Sequence, residues 1–267
     1  MDVHLLKMYV GSYKILTPIR FNYSDKYWDL FSDDSGKGEC ALELELKAAE
    51  RDSNSIEQIP VEENGRVFRS NGAVLSINGD FTKGTIISEP ENDRGIYGCA
   101  MVALYGNLIR KETVVLHSSL VDFNGRGIIF TGPSGIGKTT QAMLWEKYAG
   151  AEIINGDMVI IHKEEDGRFY GCGSPWHGSS EFCLNKKVPI EAIFCLEQSA
   201  SSRISEIPMP EIISRVFKET LLPDWFDGCR LMGLETVDKL LRSVPVYRLD
   251  ATKDVNAVNA VRKMLNL

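Results

Sequence analysis

Gly132-Pro133-Ser134-Gly135-Ile136-Gly137-Lys138-Thr139 is the stretch on which the reading of the fold turns. It fits the pattern G-x-x-x-x-G-K-S/T at every fixed position. Its flanks suit it too: Gly127-Ile128-Ile129-Phe130 is a strand-forming run before it, and Thr140 to Ala149 is compatible with a helix after it. With glycine at about 7% of average usage, the bare pattern arises by accident in a chain of this length on the order of 1% of the time, and the flanks lower that further. A loop that wraps a phosphate must turn its N–H groups inward and let the backbone approach the anion, which side chains at the glycine positions would obstruct. The helix behind it adds the positive end of its dipole. The segment predicts a nucleotide site built from Gly132, Pro133, Ser134, Gly135, Ile136, Gly137, Lys138, Thr139 and Thr140. Lys138 would reach the β and γ phosphates of ATP, and Thr139 would offer its hydroxyl to Mg²⁺.

A site of this kind also needs a carboxylate near the metal, carried by a neighbouring strand. Asp157, at the end of the apolar run Ile153-Ile154-Asn155-Gly156, is the candidate. The alternative is that Asn155-Gly156 forms a hairpin turn which Asp157 solvates. His117 follows Thr113-Val114-Val115-Leu116, and a turn at Asn124-Gly125 would fold that strand back beside the one feeding the loop. An imidazole brought there accepts a hydroxyl proton or holds a water, while a structural histidine at a strand end is the plainer reading. Gly171 to Gly178 reads either as a substrate loop or as a surface turn anchored by Trp176. Arg203 and Arg215 are left as surface arginines.

Working outward, the chain divides into a β-rich N-terminal lobe over residues 1–112 and an α/β domain over 113–267. In the lobe, Leu42-Glu43-Leu44-Glu45-Leu46-Lys47 alternates strictly, which predicts a half-buried strand of an antiparallel sheet. Asn71-Gly72 and Asn78-Gly79 flank Ala73 to Ile77 as hairpin turns. In the second part, strands are expected at Thr113–Leu116, Gly127–Phe130, Glu152–Ile154, Met158–Ile161, Ala192–Leu196 and Val244–Leu249. One helix should run from the loop to Ala149 and end at Gly150. A second should follow Pro210 with Ile213, Val216, Phe217 and Leu221 inward. A third, capped by Asp254, should turn Val255, Val258, Val261 and Leu265 inward.

Composition bounds the function. The 267 residues, 43% hydrophobic and 25% charged, describe an ordinary globular protein. A net charge of −7 with no basic run argues against nucleic acid or an anionic membrane as partner. The N-terminus has no leader pattern and the chain has no long apolar stretch, so a cytoplasmic protein is expected. The six cysteines form no C-x-x-C pair and no zinc spacing, and read as reduced thiols.

His117 with Gly125-x-Gly127, the phosphate loop, and the apolar strand into Gly156-Asp157-x-Val159 together resemble the catalytic domain of HPr kinase/phosphorylase. The likeness is closer to the HPr-kinase-like proteins of peptide natural-product gene clusters, including the lasso peptide kinases. The Ser174-Pro175-Trp176-x-Gly178 element and the strand from Pro189 to Glu197 suit those relatives best. This resemblance spans Val114 to Leu249. It implies a P-loop kinase domain of the HPr kinase or phosphoenolpyruvate-carboxykinase-like type. It also implies phosphoryl transfer from ATP to a Ser or Thr hydroxyl of a peptide or small protein, with His117 and Asp157 lining the site. The HPr enzymes carry paired aspartates, the first a base and the second near the metal, where this chain has Gly156-Asp157. Asp157 therefore inherits the metal role, and the base is His117 or Asp157 acting twice. The N-terminal lobe has no specific similarity to that of the HPr enzymes, so HPr as substrate and the reverse phosphorylase activity gain little support.

The expectation is thus an ATP-dependent transferase with His117, Lys138 and Asp157 as catalytic residues, Thr139 and Asp157 as metal ligands, and ATP and Mg²⁺ as cofactors. A catalytically weak nucleotide-binding regulatory protein and a small-molecule kinase are the alternatives, and a homo-oligomer is left open.

Overall fold

A computed structural model describes residues 2–17, 27–33, 40–49, 64–178 and 180–267. Those parts of the expected N-terminal lobe at 18–26, 34–39 and 50–63 lie outside the described residues. The chain divides into a unit over Met1–Lys111 and a second over Glu112–Leu267.

The first unit carries strands β1 (Asp2–Met8), β2 (Gly11–Thr17), β3 (Cys40–Ala48), β4 (Arg66–Ser70), β5 (Ala73–Ile77) and β6 (Lys83–Ser88), ordered β1-β2-β3-β6-β5-β4 in one sheet, followed by helix α1 (Asp93–Ile109). Alternation in β3 buries Leu42, Leu44 and Leu46. Its neighbours β2 and β6 nevertheless run parallel to it, so the expected antiparallel setting is corrected. Alternation reports that one face is wet. It carries no information on strand direction, which the long connections on either side of β3 decide. Asn71 and Gly72 form the two-residue turn between β4 and β5, both left-handed at φ 43° and 82°. The turn at Asn78 is longer: Asn78 Oδ1 accepts from the amides of Thr82 and Lys83, and the left-handed residue is Phe81 rather than Gly79.

Helix α1 was not expected in a lobe read as β-rich. Its three glycines weigh against a helix by propensity, and its buried residues encircle it rather than forming a stripe. The glycines are contact points instead. A Cβ on Gly98 would lie 2.1 Å from Ser70 Oγ, and one on Gly106 would lie 2.1 Å from the Phe81 ring. Buried Asn107 donates from Nδ2 to the carbonyls of Ala41 and Phe81, both at 2.8 Å, and so ties the helix to β3 and the β5–β6 turn.

The second unit runs β7 (Thr113–Phe123), β8 (Arg126–Thr131), α2 (Lys138–Ala149), β9 (Glu152–Asn155), β10 (Met158–Lys163), β11 (Phe169–Cys172), β12 (Lys187–Gln198), β13 (Arg203–Glu206), α3 (Met209–Glu219), β14 (Thr220–Leu221), α4 (Cys229–Ser243), β15 (Val246–Ala251) and α5 (Val255–Leu265). Its main sheet has the order β11-β10-β7-β8-β12-β15-β13, with β8, β12 and β15 parallel. Ile128 to Phe130 and Ala192 to Leu196 are buried on both faces because helices cover both faces. Ala142 and Trp145 of α2 and Val258 and Val261 of α5 pack on one side, and Val216 of α3 and Val237 and Leu240 of α4 on the other.

Each expected strand is present, several of them longer than predicted. Gly150 ends α2 at φ 69°, and Asp254 caps α5 by accepting from the Asn256 amide. Three points differ. His117 lies inside an eleven-residue strand rather than at a strand end. The inward face of α3 is Ile212 and Val216 with Phe217 packed partly buried against the same core, whereas Ile213 is 37% exposed and Leu221 has left the helix for β14. Helix α4 was not anticipated. Five of the six cysteines are buried, all are free, and burial pushes the Cys99 and Cys195 thiols up to about 11 and that of Cys172 to about 12. Among the described residues no helix is long and apolar enough to cross a membrane.

The α1 packing makes a prediction whose sign opposes propensity. Gly→Ala inside a helix ordinarily stabilises by about 1 kcal/mol. Gly106→Ala should instead destabilise by roughly 1–3 kcal/mol, because the methyl group enters the Phe81 ring. Chemical denaturation measures this, and a more stable variant would contradict the packing described.

Candidate active site

The site is assembled around β7. Asn124 and Gly125, left-handed at φ 54° and 80°, turn β7 into β8, and the ladder runs from the pair Phe123–Arg126 to the pair Ser118–Thr131. His117 therefore stands one residue beyond the end of β8, and Thr131 Oγ1 donates to its carbonyl at 3.1 Å. The loop starts at that point. Gly132, Gly135 and Gly137 have φ of 143°, 79° and 115°, all in the region that favours glycine. At Gly135 there is open space for a Cβ, so conformation rather than crowding calls for glycine there. Pro133, Ser134 and Gly135 form an exposed crest beside half-buried Ile136. Gly137 is the N-cap of α2 with no side-chain cap, and Lys138, Thr139 and Thr140 open the helix. This is a concave backbone with a helix N-terminus aimed into it, an arrangement suited to an anion.

Lys138 is buried, 6% exposed, and its Nζ donates to the carbonyls of Gly132 at 2.9 Å and Pro133 at 3.3 Å. Burial pulls the ammonium below the usual lysine range, while the facing carboxylates of Glu219 and Asp157 act in the opposite direction. Ser119 Oγ on β7 donates to the Lys138 carbonyl at 2.9 Å and so fixes the start of the helix.

Asp157 sits at a break along the other edge of β7. Strands β9 and β10 both pair with β7, Asn155 opposite Leu120 and Met158 opposite His117, so the register is unchanged across the break. Asn155-Gly156 does not turn the chain back on itself as a hairpin. Fully buried Asn155 shapes the bend: its Oδ1 accepts from the amides of Asp157 and Met158 at 2.9 and 2.8 Å, and its Nδ2 donates to the carbonyls of Ser174 and Trp176, both at 3.1 Å. The Ser118 amide donates to the Asp157 carbonyl at 2.9 Å. Thr139 Oγ1 donates to the Gly156 carbonyl at 3.1 Å, which brings the two expected metal ligands to the same peptide.

His117 lies between two carboxylates. Its Nε2 is 3.3 Å from Asp157 Oδ1, and its Nδ1 is 2.9 Å from Glu219 Oε2. Sequence reasoning had missed Glu219. It ends α3, and the next residues form β14, where Thr220 pairs with Leu116 and delivers the glutamate beside His117. No motif marks it, since its position depends on a two-residue strand formed at long range. His117, Lys138, Asp157 and Glu219 thus converge at the mouth of the loop.

The segment from Gly173 to Gly178 backs Asp157 from behind. Ser174 and Trp176 are buried, and Ser174 Oγ donates to the Met158 carbonyl at 2.9 Å, so these side chains support the fold and do not reach outward. A Cβ on Gly178 would lie 2.2 Å from Asp157 Oδ2, and one on Gly156 would lie 2.2 Å from Ser180 Oγ. Arg203 lies on the edge strand β13. Arg215, set aside as a surface residue, is held by Glu197 at 2.7 Å and Glu211 at 2.8 Å in a cavity beside the loop. Among the described residues no cluster of three or more His, Cys, Asp or Glu side chains is placed to hold a metal.

No family model matches this sequence, and no curated protein matches it. Among solved structures the chain is similar to the HPr(Ser) kinase/phosphatase from Coxiella burnetii, at 10% identity over 56% of this chain and 95% of that one, with a TM-score of 0.34. The likeness is distant, and no residue role is carried over from it.

The space at Gly156 is already filled by Ser180. Gly156→Asp, which would create a paired aspartate, should therefore destabilise the protein by roughly 1–3 kcal/mol, and Ser180→Gly in the same chain should recover part of the loss. An unchanged melting temperature for Gly156→Asp alone would contradict the packing.

Proposed function

We propose that this protein is an ATP-dependent phosphotransferase that moves the γ-phosphoryl group of ATP to a Ser or Thr hydroxyl of a peptide or small protein. The observation that carries the reading is the convergence of His117, Lys138, Asp157 and Glu219 on one glycine loop at a helix N-terminus. The loop from Gly132 to Thr140, Pro133 excepted, offers backbone N–H groups to the phosphates, and Lys138 places a positive charge at the β and γ positions. Thr139 and Asp157 are suited to Mg²⁺, which takes one or two carboxylates and completes its shell with phosphate oxygens and water. Bound Mg²⁺ would offset charge that builds on the phosphate oxygens during transfer.

His117 is the proposed base. With Asp157 given to the metal and Glu219 engaged at His117 Nδ1, the imidazole Nε2 is the group assigned the hydroxyl proton. The acceptor O–P bond forms as the bond to the bridging oxygen of the leaving diphosphate breaks, and the proton passes to His117. Glu219 holds Nδ1 and orients the ring, a positioning role. A second reading, a nucleotide-binding regulatory protein with weak catalysis, is favoured by Gly156, where Ser180 occupies the space a second carboxylate would need.

Labelled ATP with Mg²⁺ and serine-containing peptides tests the proposal. Transfer should be lost in Lys138→Ala. Glu219→Gln should lower kcat by about 10²-fold, the range of positioned acid–base groups, and leave the Kd for ATP nearly unchanged. Tight ATP binding with no transfer would favour the regulatory reading, and transfer to a metabolite alone would sink the peptide acceptor.

A further inference from the structure

A cavity of about 400 Å³ opens beside the phosphate loop, between Gly132 and Pro133 on one side and Glu197, Glu211, Arg215 and Glu219 on the other. It lies past the carboxyl ends of the parallel strands β8 and β12, where Thr131 pairs with Cys195, the usual position for ligands in sheets of this kind. In a loop of this pattern the lysine serves the β and γ phosphates, and here the Lys138 ammonium rests on the carbonyls of Gly132 and Pro133, which line the cavity together with Ile136. The transferable end of a bound triphosphate would thus face the cavity, with its diphosphate end directed toward Thr139 and Thr140. The opposite wall carries Glu219, whose carboxylate touches His117.

The charges on the walls narrow the occupant. Arg215 is committed to two carboxylates, Glu197 and Glu211. Lys218 and Glu219 complete the set, so three carboxylates stand against two cations in a chain of net charge −7. The balance of the lining is one negative charge, so an acidic segment brought in beside the triphosphate is disfavoured relative to a basic one.

We infer that this cavity admits the acceptor, and that it takes a peptide segment whose hydroxyl residue is flanked by basic rather than acidic residues. The inference rests on the phosphotransferase reading of the same site and adds the route and charge class of the acceptor.

Ser214 gives a test that does not depend on transfer. It is exposed on α3, lines the cavity and lies outside the catalytic cluster. In the full chain carrying Cys40→Ser, which removes the exposed native thiol, Ser214→Cys supplies a cysteine whose maleimide labelling can be followed by mass spectrometry. A short alanine peptide with a central serine between lysines, at ten times its Kd, should slow labelling about tenfold by occupancy. The same peptide with aspartates should have little effect, and MgATP alone should leave the rate unchanged. Protection by MgATP alone would assign the cavity to the nucleotide and overturn the inference. Equal or better protection by the aspartate peptide would overturn the charge class, and no protection by either peptide would overturn the route. Protection by the lysine peptide with no phosphate transferred from labelled ATP would uphold the cavity assignment and overturn the kinase reading.

Discussion

Every group in the candidate site is located by one short stretch of backbone, His117-Ser118 in the middle of β7. Along one edge of that strand the partner changes from β14 to β8, and along the other from β10 to β9. Each change of partner leaves a chain end or a bend beside His117. The end of β8 starts the Gly132–Thr140 loop, the bend between β9 and β10 exposes Asp157, and the start of β14 delivers Glu219. The Ser118 amide and the His117 carbonyl each hold one of these elements by a hydrogen bond. A one-residue slip of β7 against β8 would turn His117 to the opposite face of the sheet and separate it from all three. The ladder that fixes this register is held at its far end by the Asn124-Gly125 turn, so a surface turn and a central site are mechanically linked.

The electrostatics follow from the same geometry. A lysine as buried as Lys138 is disfavoured in its charged form, and it is compensated here by loop carbonyls and by the carboxylates of Asp157 and Glu219. His117 bridges those two carboxylates. The cluster therefore holds positive and negative groups side by side at the mouth of a loop whose crest is open to solvent. Ser180 against Gly156 and Gly178 against Asp157 leave no room for a second acidic side chain next to the first. The single carboxylate is thus built into the packing of the Gly173–Ser180 segment.

What was legible in the sequence and what was not separate along physical lines. The strand, glycine loop and helix around Gly132–Thr140 are encoded locally: three glycines at positive φ, a both-faces-buried strand before them and a helix after, each readable within a few residues. The placement of His117 and Asp157 beside that loop was legible because hairpin and strand adjacency are also short-range inferences, although His117 lies mid-strand. Glu219 escaped because its neighbours come from β14, a pairing over about a hundred residues that carries no pattern of its own. Helix α1 escaped because Gly95, Gly98 and Gly106 read as breakers when they are the surface on which the helix packs. The direction of β3 escaped because alternation measures burial alone. On α3 Ile213 was expected inward where Ile212 is, since the two are equally apolar and tertiary packing alone chooses between them.

The most direct measurement of the central claim is a crystal structure of the chain with a non-hydrolysable ATP analogue and Mg²⁺. The account predicts the triphosphate inside the Gly132–Thr140 loop, its terminal phosphate beside Lys138, the metal shared by Thr139 and Asp157, and His117 within about 3 Å of an acceptor position in line with that phosphate. A nucleotide bound elsewhere, or one whose terminal phosphate points away from His117, would contradict it.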